Sequence, residues 1–294
     1  MDNTKIGLVT VLYKCDDVLY DFFESIAKQT FANIYLILID NAYNNITTGL
    51  INELIFKFKI KNYIHLDAGG NIGVAAGNNF GIKEALKNNC NYVCLLNNDI
   101  KIEATNTFQN LLHDLKNENA QLVVPKIMYY NTNLIWMAGG HMDNIRALGV
   151  HKGANKEDIN QYAKISIITY APTCFMIIAK NVFEKIGIMD EKYFAYCDDT
   201  DFVYRALKIG FKMIYSPNAV IEHKVSSSSG GDNSPFYVYY GNRNKIYFIR
   251  KHYKFPRKQI AIVYTLMART IFYLRFNKLL KQKLLKGLYD GFKM

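Results

Sequence analysis

The first hundred residues of the chain repeat one pattern, and that pattern most constrains what the chain can fold into. Short apolar, β-rich runs occur at "KIGLVTVLY" (5–13), "NIYLILID" (33–40), "NYIHLD" (62–67) and "NYVCLLNND" (91–99). Between them lie "VLYDFFESIAKQ" (18–29), "TGLINELIFKFK" (48–59) and "NNFGIKEALKN" (78–88), with apolar residues at helical spacing, as Leu19, Phe22, Phe23 and Ile26 in the first. A run that is apolar on both faces is a strand buried on both faces, and strands alternating with helices make βαβ units. The pattern predicts an α/β fold with a mixed, mainly parallel sheet flanked by helices. Such a sheet gathers the carboxyl ends of its strands on one edge, where ligands bind. Those ends carry Tyr13, Asp40, "GGN" (69–71) and "NND" (97–99).

Downstream, "ATNTFQNLLHDLKN" (104–117) reads as a helix, and residues 131–164 are irregular and Gly-rich. "ISIITYAPTCFMIIAKNVFEKIG" (165–187) reads as strand, strand and helix. A helix is predicted over 200–209, and one or two short strands over 211–223, before the loop "KVSSSSGGDNSP" (224–235). With 294 residues, half of them hydrophobic, the chain can bury one large core. The expected division is a catalytic body over 1–235 and a basic helical extension over 236–294.

The N-terminus shows no secretory pattern. Five cysteines are scattered without a CxxC pair, and Cys90 and Cys94 read as packing residues. Both features suit a reducing, cytoplasmic setting. Charge is unevenly placed. Residues 241–294 hold 14 Lys and Arg against one acid, Asp290, a net of +13, whereas residues 1–240 hold 22 basic and 24 acidic residues. A basic tail implies an anionic partner. Within it, "QIAIVYTLMARTIFYLRF" (259–276) is apolar but interrupted by Arg269 and Arg275. It reads as an amphipathic helix lying on an anionic membrane surface, or else packed on the body with a solvated basic face.

Several polar residues sit where chemistry could be done. The loop "GGNIGVAAGNNFG" (69–81) is not GxGxxG, which argues against a dinucleotide-dependent dehydrogenase, yet it suits a backbone that approaches a ligand closely. Asp40, at a strand end, either accepts from a ribose hydroxyl or a base N–H, or caps a turn. Asp99 ends a very apolar strand beside Asn97 and Asn98, an arrangement suited to Mg²⁺ or Mn²⁺ that draws further oxygens from water and a diphosphate. His223 ends a later strand and is either a further ligand or a structural histidine. In "YFAYCDDTDFVYRALKIGF" (193–211), Asp198, Asp199 and Asp201 open a helix, whose dipole favours anions. Crowded, partly buried carboxylates raise one another's pKa, so one of them can accept a proton near neutrality. The aromatic residues around them read as walls of an acceptor site.

The chain resembles the inverting glycosyltransferases of family 2, which have the GT-A fold, and especially the rhamnosyltransferase-like branch that builds bacterial surface polysaccharides. The resemblance spans about residues 5–252. It is carried by "VTVLY", "LILIDNAYNN", "NIGVAAGNNFGI", "LLNNDI", the block from "TCFMIIAKNVFEKIG" to "SPNAVIEH", and "YYGNRNKIYFIRKHY". It implies that Asp199 is the general base, with Asp198, in place of the usual Glu, and Asp201 in support. It implies that Asp99 and His223 hold Mn²⁺ or Mg²⁺, with Asn97 replacing the first Asp of a DxD motif. It assigns Val11, Tyr13, Asp40, Asn71 and Asn98 to the donor nucleotide, and places Thr173 where Gly is common. The implied partners are a UDP- or dTDP-sugar donor and a lipid-linked or polysaccharide acceptor of the O-antigen or capsule type. The implied location is the inner face of the cytoplasmic membrane, with the tail either docking there or pairing two copies. The competing class is a nucleic-acid-binding protein using the basic, Tyr-rich tail. Such a protein needs no acidic cluster in a pocket, and here the basic excess lies outside the body, so no nucleic-acid partner is expected.

Overall fold

The computed structural model describes residues 4–224 and 234–294. The loop read over 224–235 therefore lies mostly outside the described residues. The first half follows the expected alternation: β1 (Ile6–Leu12), α1 (Leu19–Ala27), β2 (Ile34–Asp40), α2 (Asn45–Lys57), β3 (Tyr63–Asp67), α3 (Val74–Lys87) and β4 (Tyr92–Leu96). β1 pairs in parallel with β2 and β4, and β2 with β3. Leu36 to Ile39 and Val93 to Leu95 are completely buried, as runs apolar on both faces require. Cys90 and Cys94 are packing residues in this core.

Two helices start earlier than their periodicity predicts. α2 starts at Asn45 because the side chain of Asn44 caps it, accepting from the amides of Ile46 and Thr47 at 3.0 Å each. α3 starts at Val74, inside the Gly-rich loop. Its glycines let it lie directly on β1: a Cβ on Gly77 would stand 2.9 Å from Val11 Cγ2, and one on Gly81 2.2 Å from Val9 Cγ1.

The second half continues with β5 (Ile100–Lys101), α4 (Thr107–Asn117), β6 (Leu122–Tyr129), β7 (Ile135–Met137), β8 (Gly140–Asp143), β9 (Leu148–His151), β10 (Ser166–Ile167), β11 (Phe175–Ala179), α5 (Lys180–Ile186), α6 (Asp198–Lys208) and β12 (Met213–His223). The sheet order is β10-β12-β6-β11-β4-β1-β2-β3, with β5 on β12 and β7 on β6. β11 is antiparallel to both β4 and β6, so β6 and β12 point the same way as β4. The sheet is mixed and mainly parallel, with helices flanking it. Residues 213–223 form one strand, whose register shifts between Ser216 and Val220, where Pro217 cannot donate to a ladder. The irregular stretch contains the β8–β9 hairpin.

The C-terminal region is helical: α7 (Pro235–His252), α8 (Arg257–Arg275) and α9 (Lys278–Lys293). α9 packs closely on α7, because Cβ atoms on Gly287 and Gly291 would stand 2.5 Å from the Tyr239 and Arg243 carbonyl oxygens. A second, smaller core joins this region to the body through Tyr193, Tyr247, Phe248, Ile249, Tyr253 and Ala261. On α8, Ala261 and Thr265 face inward, while Ile260, Val263, Met267, Ile271 and Leu274 are exposed. Among the described residues no helix is long and apolar enough to cross a membrane.

Candidate active site

The parallel strands deliver their polar ends to one edge. Leu12 of β1 is in register with Asp40 of β2, and the Asn41 amide donates to the Leu12 carbonyl at 2.8 Å. Asp40 is buried. One of its oxygens accepts from the Ala42 amide at 2.8 Å, closing a turn, and the other lies 3.2 Å from His65 Nε2. Asn71 Oδ1 accepts from the Gly73 amide at 3.1 Å, and Asn41 Nδ2 donates to the Gly73 carbonyl at 3.1 Å. Asn71 and Tyr13 are exposed at the rim, and Val11 is half-buried beneath Gly77. Burial pushes the Cys15 thiol up to about 12, with Asn98 hydrogen-bonded to it and Asp40 adding its charge.

A second group forms where β4 ends. β5 follows Asp99 directly and pairs Ile100 with His223 of β12. This register places His223 Nε2 3.1 Å from Asp99 Oδ1, with both side chains largely buried. Asn97 Nδ2 lies 3.4 Å from the same imidazole nitrogen, and the Asn97 amide donates to the Cys174 carbonyl at 2.9 Å, next to buried Thr173. The Trp136 ring stands edge-on to His223 and His151, at 4.8 and 4.4 Å between centroids. Among the described residues no group of three or more His, Cys, Asp or Glu could hold a metal ion. One carboxylate and one imidazole fit a divalent cation that takes its other ligands from water and a diphosphate. They do not make a closed structural site.

The third group is the acidic cluster on the first turn of α6. Tyr196 and Cys197, just before it, both have positive φ, 66° and 63°, a strained pair for non-glycine residues. Asn244, fully buried on α7, holds this turn by donating to the carbonyls of Ala195 at 2.6 Å and Tyr196 at 2.9 Å. Asp199 Oδ1 accepts from the Thr200 amide at 2.5 Å and from the Thr200 hydroxyl at 3.1 Å. Asp199 Oδ2 accepts from the Tyr170 hydroxyl at 3.1 Å. Tyr170 lies under the hairpin, where a Cβ on Gly149 would stand 2.2 Å from its ring. Burial pushes the carboxyls of Asp198 and Asp199 up, and the Asp199 charge raises Asp198 further. The donors around Asp199, the Thr200 amide and hydroxyl and the Tyr170 hydroxyl, favour its ionised form and offset part of that rise. Burial pushes the Cys174 thiol up, and the charges of Asp99 and then Asp199 push it further. His151 stacks on Tyr170 at 5.8 Å between centroids, so His223, Trp136, His151 and Tyr170 form a chain of ring contacts from the second group to the third.

Asp201 stands apart chemically. It is completely buried, with Arg205 Nε at 2.7 Å, Lys251 Nζ at 2.6 Å and His252 Nε2 at 2.7 Å. Burial alone would raise its carboxyl, but these partners hold it well below the usual carboxylate range. It ties the C-terminal end of α7 to α6.

Of the aromatic residues before the cluster, Tyr193 is not available as a wall, whereas Phe194 and Tyr196 are half-exposed. Tyr193 is completely buried against Tyr247, and Phe194 stacks on Tyr240 of α7 at 5.1 Å. The Phe194 carbonyl accepts from the Val74 amide at 2.8 Å, joining the acidic cluster to the Gly-rich loop. This contact requires Gly73, whose φ is +85° and whose added Cβ would stand 2.4 Å from the Phe194 oxygen. Gly73→Ala is expected to destabilise the fold by about 2 kcal/mol. Urea unfolding checks this, and an unchanged midpoint would count against the close approach.

Asn244, Tyr170 and Asn79 have no distinguishing signal as single letters. Asn79 donates to the Met189 carbonyl and to Glu191 Oε1, at 2.9 Å each, across about a third of the chain. The segments "NIGVAAGNNFGI" and "YYGNRNKIYFIRKHY", which carry the family resemblance, contain Asn79 and Asn244, whereas Tyr170 lies outside every such segment.

Comparisons with known proteins agree with this geometry. The chain is 25% identical over 260 residues to the dTDP-rhamnosyl transferase RfbF of Shigella flexneri, covering 85% of this chain and 82% of the relative. It is 28% identical over 120 residues, 38% of each chain, to an N-acetylglucosaminyl-diphospho-decaprenol L-rhamnosyltransferase of Mycobacterium tuberculosis. Its fold is similar to that of GalNAc-T7, solved with UDP, GalNAc and Mn²⁺, with a TM-score of 0.65 and 15% identity over 84% of this chain and 48% of that one. The profile described as Glycosyl transferase family 2 matches residues 8–187, and with a mainly parallel sheet that brings its polar strand ends beside an acidic helix start, the chain belongs to that family.

Proposed function

We propose that the protein is an inverting transferase that moves a sugar from a UDP- or dTDP-sugar to a hydroxyl of a lipid-linked or growing bacterial surface glycan. One observation carries this: ring contacts run from His223 through Trp136 and His151 to Tyr170, whose hydroxyl donates to Asp199, so the Asp99–His223 pair and the carboxylate suited to act as base belong to one connected set of side chains. Asp199 takes the proton of the acceptor hydroxyl while that oxygen attacks the anomeric carbon opposite the leaving group. The new C–O bond forms as the bond to the diphosphate breaks, and the electron pair leaves with the diphosphate. No covalent enzyme intermediate is required, so a single base suffices. Tyr170 and Thr200 orient that base, and Asn244 holds the turn that presents it. Asp99 and His223 would hold Mn²⁺ or Mg²⁺, which when bound supplies positive charge against the diphosphate. The Asp40 turn, with Val11, Tyr13, Asn71 and Asn98, forms the nucleotide edge.

The relatives support the substrate classes: one is named for a dTDP-rhamnosyl donor, another for a diphospho-decaprenol acceptor, and the fold neighbour holds UDP and Mn²⁺. The exposed apolar face of α8 suits peripheral association with the inner face of the cytoplasmic membrane. A donor screen that reads released UDP, dTDP and GDP in the presence of lipid-linked acceptors tests the proposal, and release with none of them would overturn it. Asp99→Ala is expected to weaken Mn²⁺-dependent UDP or dTDP binding at least about tenfold. Calorimetric titration with and without Mn²⁺ checks it, and equal affinities in wild type and variant would remove Asp99 from the metal site.

A further inference from the structure

Where the body and tail meet lie two cations that form no ion pair among the described residues. Lys245 of α7 follows Asn244 directly and is half-buried beside the Cys197 thiol. Arg269 lies two turns beyond Ala261 on the inward stripe of α8, and its buried Nε has no hydrogen-bond partner among the described residues. Burial, and then the nearby charge of Arg269, pushes the Lys245 ammonium down to about 8. The other charges that face Lys245 are those of Asp143 and Arg146 in the β8–β9 turn. They are already engaged with each other: Arg146 Nε lies 3.5 Å from Asp143 Oδ2, and the same carboxylate caps the Ile145 and Arg146 amides at 3.0 and 2.9 Å. Among the described residues neither Lys245 nor Arg269 is in an ion pair. Two half-buried like charges with no ion-pair partner among the described residues are costly, and an anion that binds between them lowers that cost.

We infer that Lys245 and Arg269 form a seat for the phosphate groups of a lipid-diphosphate acceptor. This rests on the glycosyl-transfer reading and deepens it. The position suits an acceptor, not the donor. Cys197, which Lys245 adjoins, precedes Asp198 and Asp199 directly, whereas the nucleotide edge is built by β1, β2 and β4. The same helix that carries Arg269 on its inner side presents Ile260, Val263, Met267, Ile271 and Leu274 outward. A ligand that satisfies both sides of α8 has an anionic head and a long apolar tail. Arg and Lys together suit a diphosphate, the first as a planar fork and the second as a point charge.

The test is co-sedimentation with phosphatidylcholine vesicles containing a few per cent polyprenyl diphosphate. The comparison vesicles carry phosphatidylglycerol to the same total charge, in the same salt. Wild-type protein is expected to prefer the diphosphate vesicles, and Lys245→Gln/Arg269→Gln to lose that preference at about tenfold per cation, or 1.4 kcal/mol each. A control, Lys278→Gln/Lys286→Gln, removes the same net charge from exposed tail positions and should keep the preference. The inference is overturned if wild type binds both vesicles alike, if Lys245→Gln/Arg269→Gln keeps the preference, or if the control loses it equally. Binding here needs no turnover. Nucleotide release from a donor sugar, measured on the same samples, therefore reports separately on glycosyl transfer.

Discussion

Asp199→Asn is expected to lower sugar transfer by roughly a hundred- to ten-thousandfold while leaving donor binding intact, the size of effect that loss of a general base produces. The substitution keeps the shape of the side chain. An amide oxygen can still accept from the Thr200 amide, and the Tyr170 hydroxyl can turn to accept from the new amide nitrogen. What disappears is the capacity to take a proton. Burial pushes the Asp199 carboxyl up, so its ionised form is a stronger base than an exposed carboxylate. Wild-type activity should therefore fall as pH is lowered, because protonated Asp199 cannot act, and the residual activity of the variant should lack that acid limb. Donor affinity should survive, because the residues proposed for the donor, in the Asp40 turn, at Asn71 and in the Asp99–His223 pair, lie on other elements. Transfer at wild-type rate in Asp199→Asn would end the assignment, as would an unchanged acid limb.

Asp201→Ala should cost about 3–5 kcal/mol of stability, the range for removing one partner of a buried ion pair. For a chain of this size the melting temperature should drop by about 10 °C. The carboxylate faces three donors on two helices, and its loss leaves Arg205, Lys251 and His252 around an empty, solvent-poor space. Lys251 retains Asp190 at 2.7 Å, and Arg205 retains the carbonyls of Ile186 and Ile188. His252 retains no such partner among the described residues. The pH dependence has a definite sign. The native carboxyl is held well below its ordinary 3.8, so its contribution is complete above that value and is lost as pH falls through the lower native one. The gap in stability between wild type and variant should be constant near neutrality and narrow only in strong acid. A melting temperature close to that of wild type would show that α7 is held by its apolar contacts alone.

Because Asp201 ties α6 to α7 and Asn244 holds the turn just before α6, the helix that carries Asp199 is positioned by the C-terminal region. The expected division at residue 235 coincides with the start of α7, yet the end of that helix reaches the first turn of α6. Cationic residues read as part of a basic tail thus have separate tasks. Lys251 neutralises Asp201, whereas Lys245 and Arg269 have no partner of opposite charge among the described residues.

The sheet was legible in the sequence because burial on both faces writes itself as unbroken apolar runs. Its polar edge was legible because parallel strands must end on one side. The early start of α3 was not, since Gly77 and Gly81 serve a helix only when β1 lies against them. The acidic cluster could be recognised as a helix start, but not sorted into Asp198 and Asp199, whose carboxyls burial raises, and Asp201, whose carboxyl its ion pairs lower. That sorting depends on Tyr170, Lys251 and His252, the last two 50 and 51 residues away from Asp201. Asp99 and His223 likewise meet only through the register of β5 on β12, although Asn97, beside one, is 126 residues from the other. The sequence by itself therefore determined the layers, the succession of strands and helices in the first half and the residue types brought to the sheet edge, because these follow from local periodicity. Only the tertiary structure decided which carboxyls are raised, which is lowered and which cations are left over, because charge states depend on burial and on partners that folding brings together from far along the chain.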